Sequence, residues 1–152
     1  MPSDLVPTGV PGLDRILGGG LEADALTEFY GEGGSGKTVA CLQATVRVTE
    51  QPAWVVYVDT EGVSAARLEA ISGARRDEVL ARLLLATPKD LRQQTRAVRS
   101  ACILARSDAR RVGLIVLDSA TLYYRLAVGE DNDESGRAEL ARQLADLLAT
   151  SL

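Results

Sequence analysis

Gly31-Glu32-Gly33-Gly34-Ser35-Gly36-Lys37-Thr38 is the stretch from which the fold can be read. It fits G-x-x-x-x-G-K-[ST], the pattern of a phosphate-binding loop. Phosphates need donors that approach closely and point inward. Gly31, Gly33, Gly34 and Gly36 carry no Cβ to block that approach, and they tolerate positive φ. Successive backbone N–H groups across Gly31, Glu32, Gly33, Gly34, Ser35 and Gly36 then form an anion nest, backed by the N-terminus of a following helix. Lys37 would reach the β- and γ-phosphates, and Thr38 would offer a hydroxyl to Mg²⁺. A Gly-rich turn with an incidental Lys and Thr is the alternative. The flanks argue against it. Ala25-Leu26-Thr27-Glu28-Phe29-Tyr30 reads as a short buried strand and residues 39–48 read as a helix. Strand, loop and helix in that order are the context the motif requires.

Working outward, 152 residues suit one domain with a sizeable core. A hydrophobic share of 46% with 25% charged residues is that of a globular protein, not a disordered one. The net charge of −4 argues against a whole-protein attraction to nucleic acid and leaves room for a local basic patch. These residues include no histidine, so a histidine base or ligand is excluded among them. Cys41 and Cys102 stand apart without metal-ligand spacing and fall on apolar faces of helices. They read as buried free thiols, in keeping with a reducing cytosol. No apolar run has the length of a membrane span, and the N-terminus lacks an apolar signal core. The expected location is cytoplasmic.

The remaining chain alternates strand and helix. Residues 11–17 form a short helix, stopped by Gly18-Gly19-Gly20. Ala53-Trp54-Val55-Val56-Tyr57-Val58 is a strand buried on both faces, ending at Asp59-Thr60-Glu61-Gly62. Acidic residues past such a strand end lie where an α/β sheet places its ligands. Residues 64–72 form a helix capped by Ser64 and closed by Gly73, and residues 77–82 form a shorter one. Residues 83–87 are a strand candidate. Residues 91–106 form an amphipathic helix with Leu91, Val98, Ala101, Cys102 and Ala105 on one face. Around its other face, residues 89–111 carry seven basic side chains against two acidic ones. A solvated surface and a polyanion-facing patch both fit that pattern. Val112-Gly113-Leu114-Ile115-Val116-Leu117-Asp118 is an apolar strand running into an acid, the Walker-B arrangement, in which Asp118 helps to hold Mg²⁺. Residues 129–136 read as an acidic solvent-exposed loop. Residues 137–149 read as a last helix with Leu140, Leu144, Leu147 and Leu148 on its apolar face.

Phosphoryl transfer to water needs held phosphates, a metal to neutralise charge and an oriented nucleophile. The loop supplies the first, and Thr38 with Asp118 the second. Glu61, on the strand between the two motifs, is the candidate to polarise the attacking water, with Asp59 and Asp108 as rivals.

The same residues carry a resemblance. Thr8-Gly9-Val10-Pro11-Gly12-Leu13-Asp14 with Leu17-Gly18-Gly19-Gly20 resembles the entry segment of the RecA-type recombinase core. Leu26-Thr27-Glu28-Phe29-Tyr30-Gly31 and Tyr57-Val58-Asp59-Thr60-Glu61-Gly62 are similar to the archaeal and eukaryotic branch. Leu117-Asp118-Ser119-Ala120-Thr121, Leu122-Tyr123-Tyr124-Arg125 and Arg142-Gln143-Leu144 look most like the archaeal RadB paralogues of that branch. The resemblance implies a RecA-like P-loop NTPase, an α/β fold with a mostly parallel sheet flanked by helices. It implies ATP and Mg²⁺ as cofactors, Lys37 and Glu61 as catalytic residues, and weak ATP hydrolysis. It implies DNA as partner, single-stranded or branched, in recombination and repair, with a homo-oligomer or a recombinase or resolvase alongside and no membrane. By position Arg67 resembles the arginine that packs on the adenine, although the intervening loop is one residue shorter. The family continues past the last helix into a central strand. Residues 1–152 therefore read as the N-terminal portion of the core, truncated at the C-terminus, with that strand expected between the loop strand and the Walker-B strand. A KaiC-like signalling ATPase shares the entry segment and both Walker elements. A non-hydrolysing ATP-gated regulator is the third reading.

Overall fold

Five β-branched and aromatic residues in a row, before the closing acid, leave Trp54–Asp59 (β3) no polar face along its length, so it must be covered on both sides. The computed structural model describes residues 5–107, 109–128 and 134–151. In it β3 is the middle strand of a parallel sheet, between Leu83–Ala86 (β4) and Val112–Asp118 (β5). The strand order is β4-β3-β5, with Val55 opposite Leu83 and Asp59 opposite Asp118. The register slips once, between Trp54 and Val55, opposite Gly113. A Cβ on Gly113 would stand 3.0 Å from Ala53 Cβ and 3.1 Å from Val48 Cγ1. The strand enters the sheet by passing close to the end of a helix, and only glycine leaves the space.

Alternation along β5 builds two cores. Leu114 and Val116 face a cluster of Leu42, Val48, Val55 and Tyr57. There Lys37–Thr49 (α2) and Ala65–Ser72 (α3) cover the sheet. Ile115 and Leu117 turn the other way, against Val98, Cys102 and Leu147. Those belong to Leu91–Arg106 (α5) and Glu134–Ser151 (α7). Helices on both faces of a parallel sheet give an α/β fold of the RecA-like kind. Pro11–Ile16 (α1), a turn of 3₁₀-helix and Arg76–Ala81 (α4), and Leu122–Val128 (α6) complete the helices. At the start, Leu5–Val6 (β1) pairs antiparallel with Leu21–Glu22 (β2). The Thr8 amide and hydroxyl both donate to Asp14 Oδ1 at 2.7 Å, and these bonds hold the Asp14 carboxyl below its usual range.

Several expectations from the sequence are corrected here. Residues 25–30 form no strand. Leu26 is 45% and Tyr30 90% exposed, and among the described residues no strand lies beside them to complete their backbone hydrogen bonds. An apolar pattern makes a strand only where a neighbour supplies a ladder. Ser64 stands at the N-cap of α3 but makes no side-chain capping bond. Asp90 does cap α5, accepting from Gln93 N at 2.7 Å. Residues 134–136 belong to the first turn of α7, while residues 129–133 of the expected acidic loop lie outside the described residues. Cys102 is buried as expected, and Cys41 is only half-buried. The buried stripe of α7 runs through Gly136, Gln143 and Leu147, and Leu148 is 47% exposed. No helix among the described residues is long and apolar enough to cross a membrane.

That stripe is testable. Leu147→Ala should cost about 2–5 kcal/mol of unfolding free energy, whereas Leu148→Ala should stay within about 1 kcal/mol. Urea denaturation midpoints at constant m-value measure both. Equal losses would place the sequence-derived face, not the stripe described, against the sheet.

Candidate functional site

The loop enters α2 at Lys37, its first helical residue. Gly36 at the N-cap has φ 96°, a left-handed conformation that residues with a Cβ avoid. Gly31 is packed so that a Cβ would sit 3.1 Å from Ser35 Oγ. The Lys37 ammonium folds back into the loop. It donates to Gly31 O at 2.8 Å and Glu32 O at 2.7 Å, and reaches Ser35 Oγ at 3.4 Å. The lysine thereby closes a ring around the bend that it terminates. Thr38 follows it in the first turn, half-buried.

The acidic side of the site stands on the ends of β3 and β5. Asp59 is buried and its carboxylate is fully engaged by the next turn. Oδ1 accepts from Glu61 N at 3.1 Å and Gly62 N at 2.8 Å, and Oδ2 from Val63 N at 2.7 Å. Asp59 therefore shapes the turn, and Glu61, its side chain exposed, is the group the turn presents. Thr60 joins that turn to the next strand end. Its amide donates to Asp118 O at 2.8 Å, its hydroxyl donates to Ser119 O at 3.0 Å, and Ser119 N donates back to Thr60 Oγ1 at 2.7 Å. Asp118 is buried, with Oδ2 accepting from the Tyr57 hydroxyl at 2.8 Å. Burial, and then the Asp118 charge, push the Tyr57 phenol above its ordinary range. Ser119 Oγ is buried beside Asp118 with no hydrogen-bond partner among the described residues.

One thiol ties the two halves together. Cys41 lies one turn beyond Thr38 on α2, and its ionisation is pushed up to about 12 by burial and then by the charge of Asp118. The first turns of α2 thus run past the acid at the end of β5. Loop, Thr38, Glu61 and Asp118 gather at one end of the sheet. Arg67 is exposed in the first turn of α3 and its guanidinium has no partner among the described residues. Asp108 lies outside the described residues.

The donor set fits a hard cation that keeps waters and phosphate oxygens in its shell: one hydroxyl and one carboxylate, with Asp118 Oδ1 making no hydrogen bond among the described residues. No group of three His, Cys, Asp or Glu that would hold a metal by itself occurs among the described residues. Sequence reasoning missed Tyr57 and Thr60. Tyrosine in a strand buried on both faces needs a hydroxyl partner, and that signal pointed to a nearby acid.

A three-stranded parallel sheet between helices, with a Gly-rich loop opening a helix at its end, defines a RecA-like α/β protein. The chain belongs to the Rad51 family, whose model matches residues 5–151. It is 43% identical over 125 residues to the DNA repair and recombination protein RadB of Methanoculleus marisnigri, a match covering 82% of this chain and 56% of that protein. With the RadB of Halobacterium salinarum it shares 40% over 144 residues, 93% of this chain and 58% of the relative. With that of Archaeoglobus fulgidus it shares 37% over 145 residues, 95% and 63%. The chain thus spans about three-fifths of the length of these relatives.

The raised thiol and phenol give a pH dependence. Cys41 binds its proton more tightly folded than unfolded, as does Tyr57. The Cys41 contribution is complete below pH 9.0, the ordinary thiol value, and is lost as pH rises toward about 12, whereas that of Tyr57 begins to fall only above pH 10.0, the ordinary phenol value. Urea midpoints should therefore fall across that window, and Cys41→Val should flatten the decline. An unchanged slope in the variant would contradict the assigned cause.

Proposed function

We propose that the chain is the ATP-binding core, residues 1–152, of a DNA repair and recombination protein that hydrolyses ATP weakly with Mg²⁺ and binds single-stranded or branched DNA. It would act as a homo-oligomer or beside a recombinase or resolvase. The observation that carries this reading is the pairing of Asp59 with Asp118 at adjacent strand ends, beside the helix that the Gly-rich loop opens. The Rad51 family match over residues 5–151 favours recombination over a signalling ATPase. The RadB relatives favour DNA as the partner.

Each residue then has a task. The amides of Gly31, Glu32, Gly33, Gly34, Ser35 and Gly36 receive the phosphates, and Lys37 exchanges the loop carbonyls for β- and γ-phosphate oxygens. Thr38 and Asp118 would hold Mg²⁺, which when bound would supply neutralisation of phosphate charge. Tyr57 orients Asp118 through its hydroxyl. Glu61, aimed by the Asp59 turn, accepts a hydrogen bond from water as its oxygen bonds to the γ-phosphorus and the β–γ bridge breaks. Arg67 stacks on the adenine.

Binding of a fluorescent ATP analogue with Mg²⁺ tests the loop. Lys37→Ala should weaken it by roughly tenfold or more. Glu61→Gln should keep nucleotide affinity and lower phosphate release by about a hundredfold or more. Unchanged affinity in the first variant would remove the loop from nucleotide binding. Unchanged turnover in the second would remove Glu61 from catalysis. A wild-type chain that binds nucleotide without turnover would favour the ATP-gated regulator.

A further inference from the structure

On the face of the molecule formed by α5 and α7 lies a groove of about 530 Å³. Arg92, Arg96 and Arg99 line one wall and Arg142 stands on the other, with Glu139 the only carboxylate among the lining residues. The first three recur at four and three residues along α5, on one stripe of the helix. All are exposed, and none has a hydrogen bond or ion pair among the described residues. Among the described residues Arg142 is engaged only with Glu139, at 3.2 Å.

Three guanidinium groups in a row, without a partner among the described residues, do nothing for the fold. They repel one another at helical spacing and contribute no bond to the fold. The wall beneath them is fixed. Thr95, in the same groove, accepts from Gln143 Nε2 at 2.8 Å, and Gln143 Oε1 accepts from Gln94 Nε2 at 2.8 Å. Glu139 being the only carboxylate among the described lining residues, this concave basic surface is complementary to a string of negative charges. At about 1.5 Å per residue the α5 stripe spans about 10 Å, long enough to lie along more than one phosphate of a strand. The lining holds no aromatic side chain on which a base would stack.

We propose that the α5–α7 groove is a docking site for the phosphate backbone of single-stranded DNA, with Arg92, Arg96, Arg99 and Arg142 as its contacts and no base preference. It rests on the reading of the chain as part of a DNA-binding protein and adds a location, remote in residue content from the Gly-rich loop. Glu139 then tempers affinity by occupying Arg142.

The experiment is a salt titration of fluorescent oligonucleotide binding by the whole chain. The triple variant Arg92→Ala/Arg96→Ala/Arg99→Ala should bind roughly tenfold or more weakly at low salt, with a log–log salt slope shallower by about 2. Changing the same three positions to lysine should restore most of the affinity. Glu139→Gln should bind more tightly than wild type, which loss of folding cannot mimic. Homopolymers of different base should bind alike. Nucleotide-analogue binding serves as the fold control and should be unchanged throughout. Wild-type affinity and slope in the triple variant would overturn the groove while leaving DNA binding to another surface. A wild-type chain that binds the ATP analogue and no DNA at any salt would overturn the groove and the DNA part of the function, leaving the ATP site standing. Equal competition by polyglutamate of matched charge would overturn the assignment to nucleic acid.

Discussion

Everything chemical in this molecule depends on two parallel strands ending level with each other. Hydrogen bonding between β3 and β5 brings Asp59 opposite Asp118, and Thr60 then stitches the two ends through three bonds with Asp118 and Ser119. A slip of one residue would turn every side chain on one strand to the opposite face. Tyr57 would lose Asp118, and the turn that Asp59 organises would present Glu61 elsewhere. The apolar cover of β3 opposes such a slip, because Val55 and Tyr57 fill the cluster under α2 and α3 while Val56 and Val58 are buried on the other face. Packing in the middle of the sheet therefore sets the geometry at its end.

Much of this was legible in the sequence because the signals were local and strong. The loop motif located α2, the β-branched run located β3, and the apolar run into Asp118 located β5. The sequence preferred Glu61 to Asp59 by position and by resemblance, and the three amide bonds that occupy the Asp59 carboxylate are in keeping with that preference. What stayed hidden depends on partners distant in the chain. Residues 25–30 have the pattern of a strand and still form none, since a pattern cannot reveal whether a neighbour is present. Leu148 looks equivalent to Leu147 by spacing, yet only the crossing of α7 over α5 decides which of them meets Val98.

The second hidden layer is polar. Gln94 and Gln143 are both buried, and both would be read as surface residues by type. Gln94 donates to Ala120 O at 3.0 Å as well as to Gln143. Its own side-chain carbonyl oxygen is buried without a hydrogen-bond partner among the described residues. An unsatisfied acceptor is destabilising, yet the pair joins α5, α7 and the turn after Asp118 in one network. Apolar side chains would pack there with less cost, but they would not fix which rotation of α7 meets that turn. A polar contact of this kind selects one arrangement among several of similar packing energy.

The outer side of β5 has a different consequence. In the order β4-β3-β5 it is the last strand, and its sequence is Val112-Gly113-Leu114-Ile115-Val116-Leu117 before the acid. No lysine, proline or inward charge interrupts that run, so the row of amides and carbonyls that no described strand pairs is a template to which another extended segment can add. At high concentration, colloidal behaviour would then be governed by this margin of the sheet more than by the modest net charge of −4. For anyone handling the protein, dilution and salt would matter as much as temperature, since salt screens the one long-range force that keeps such margins apart.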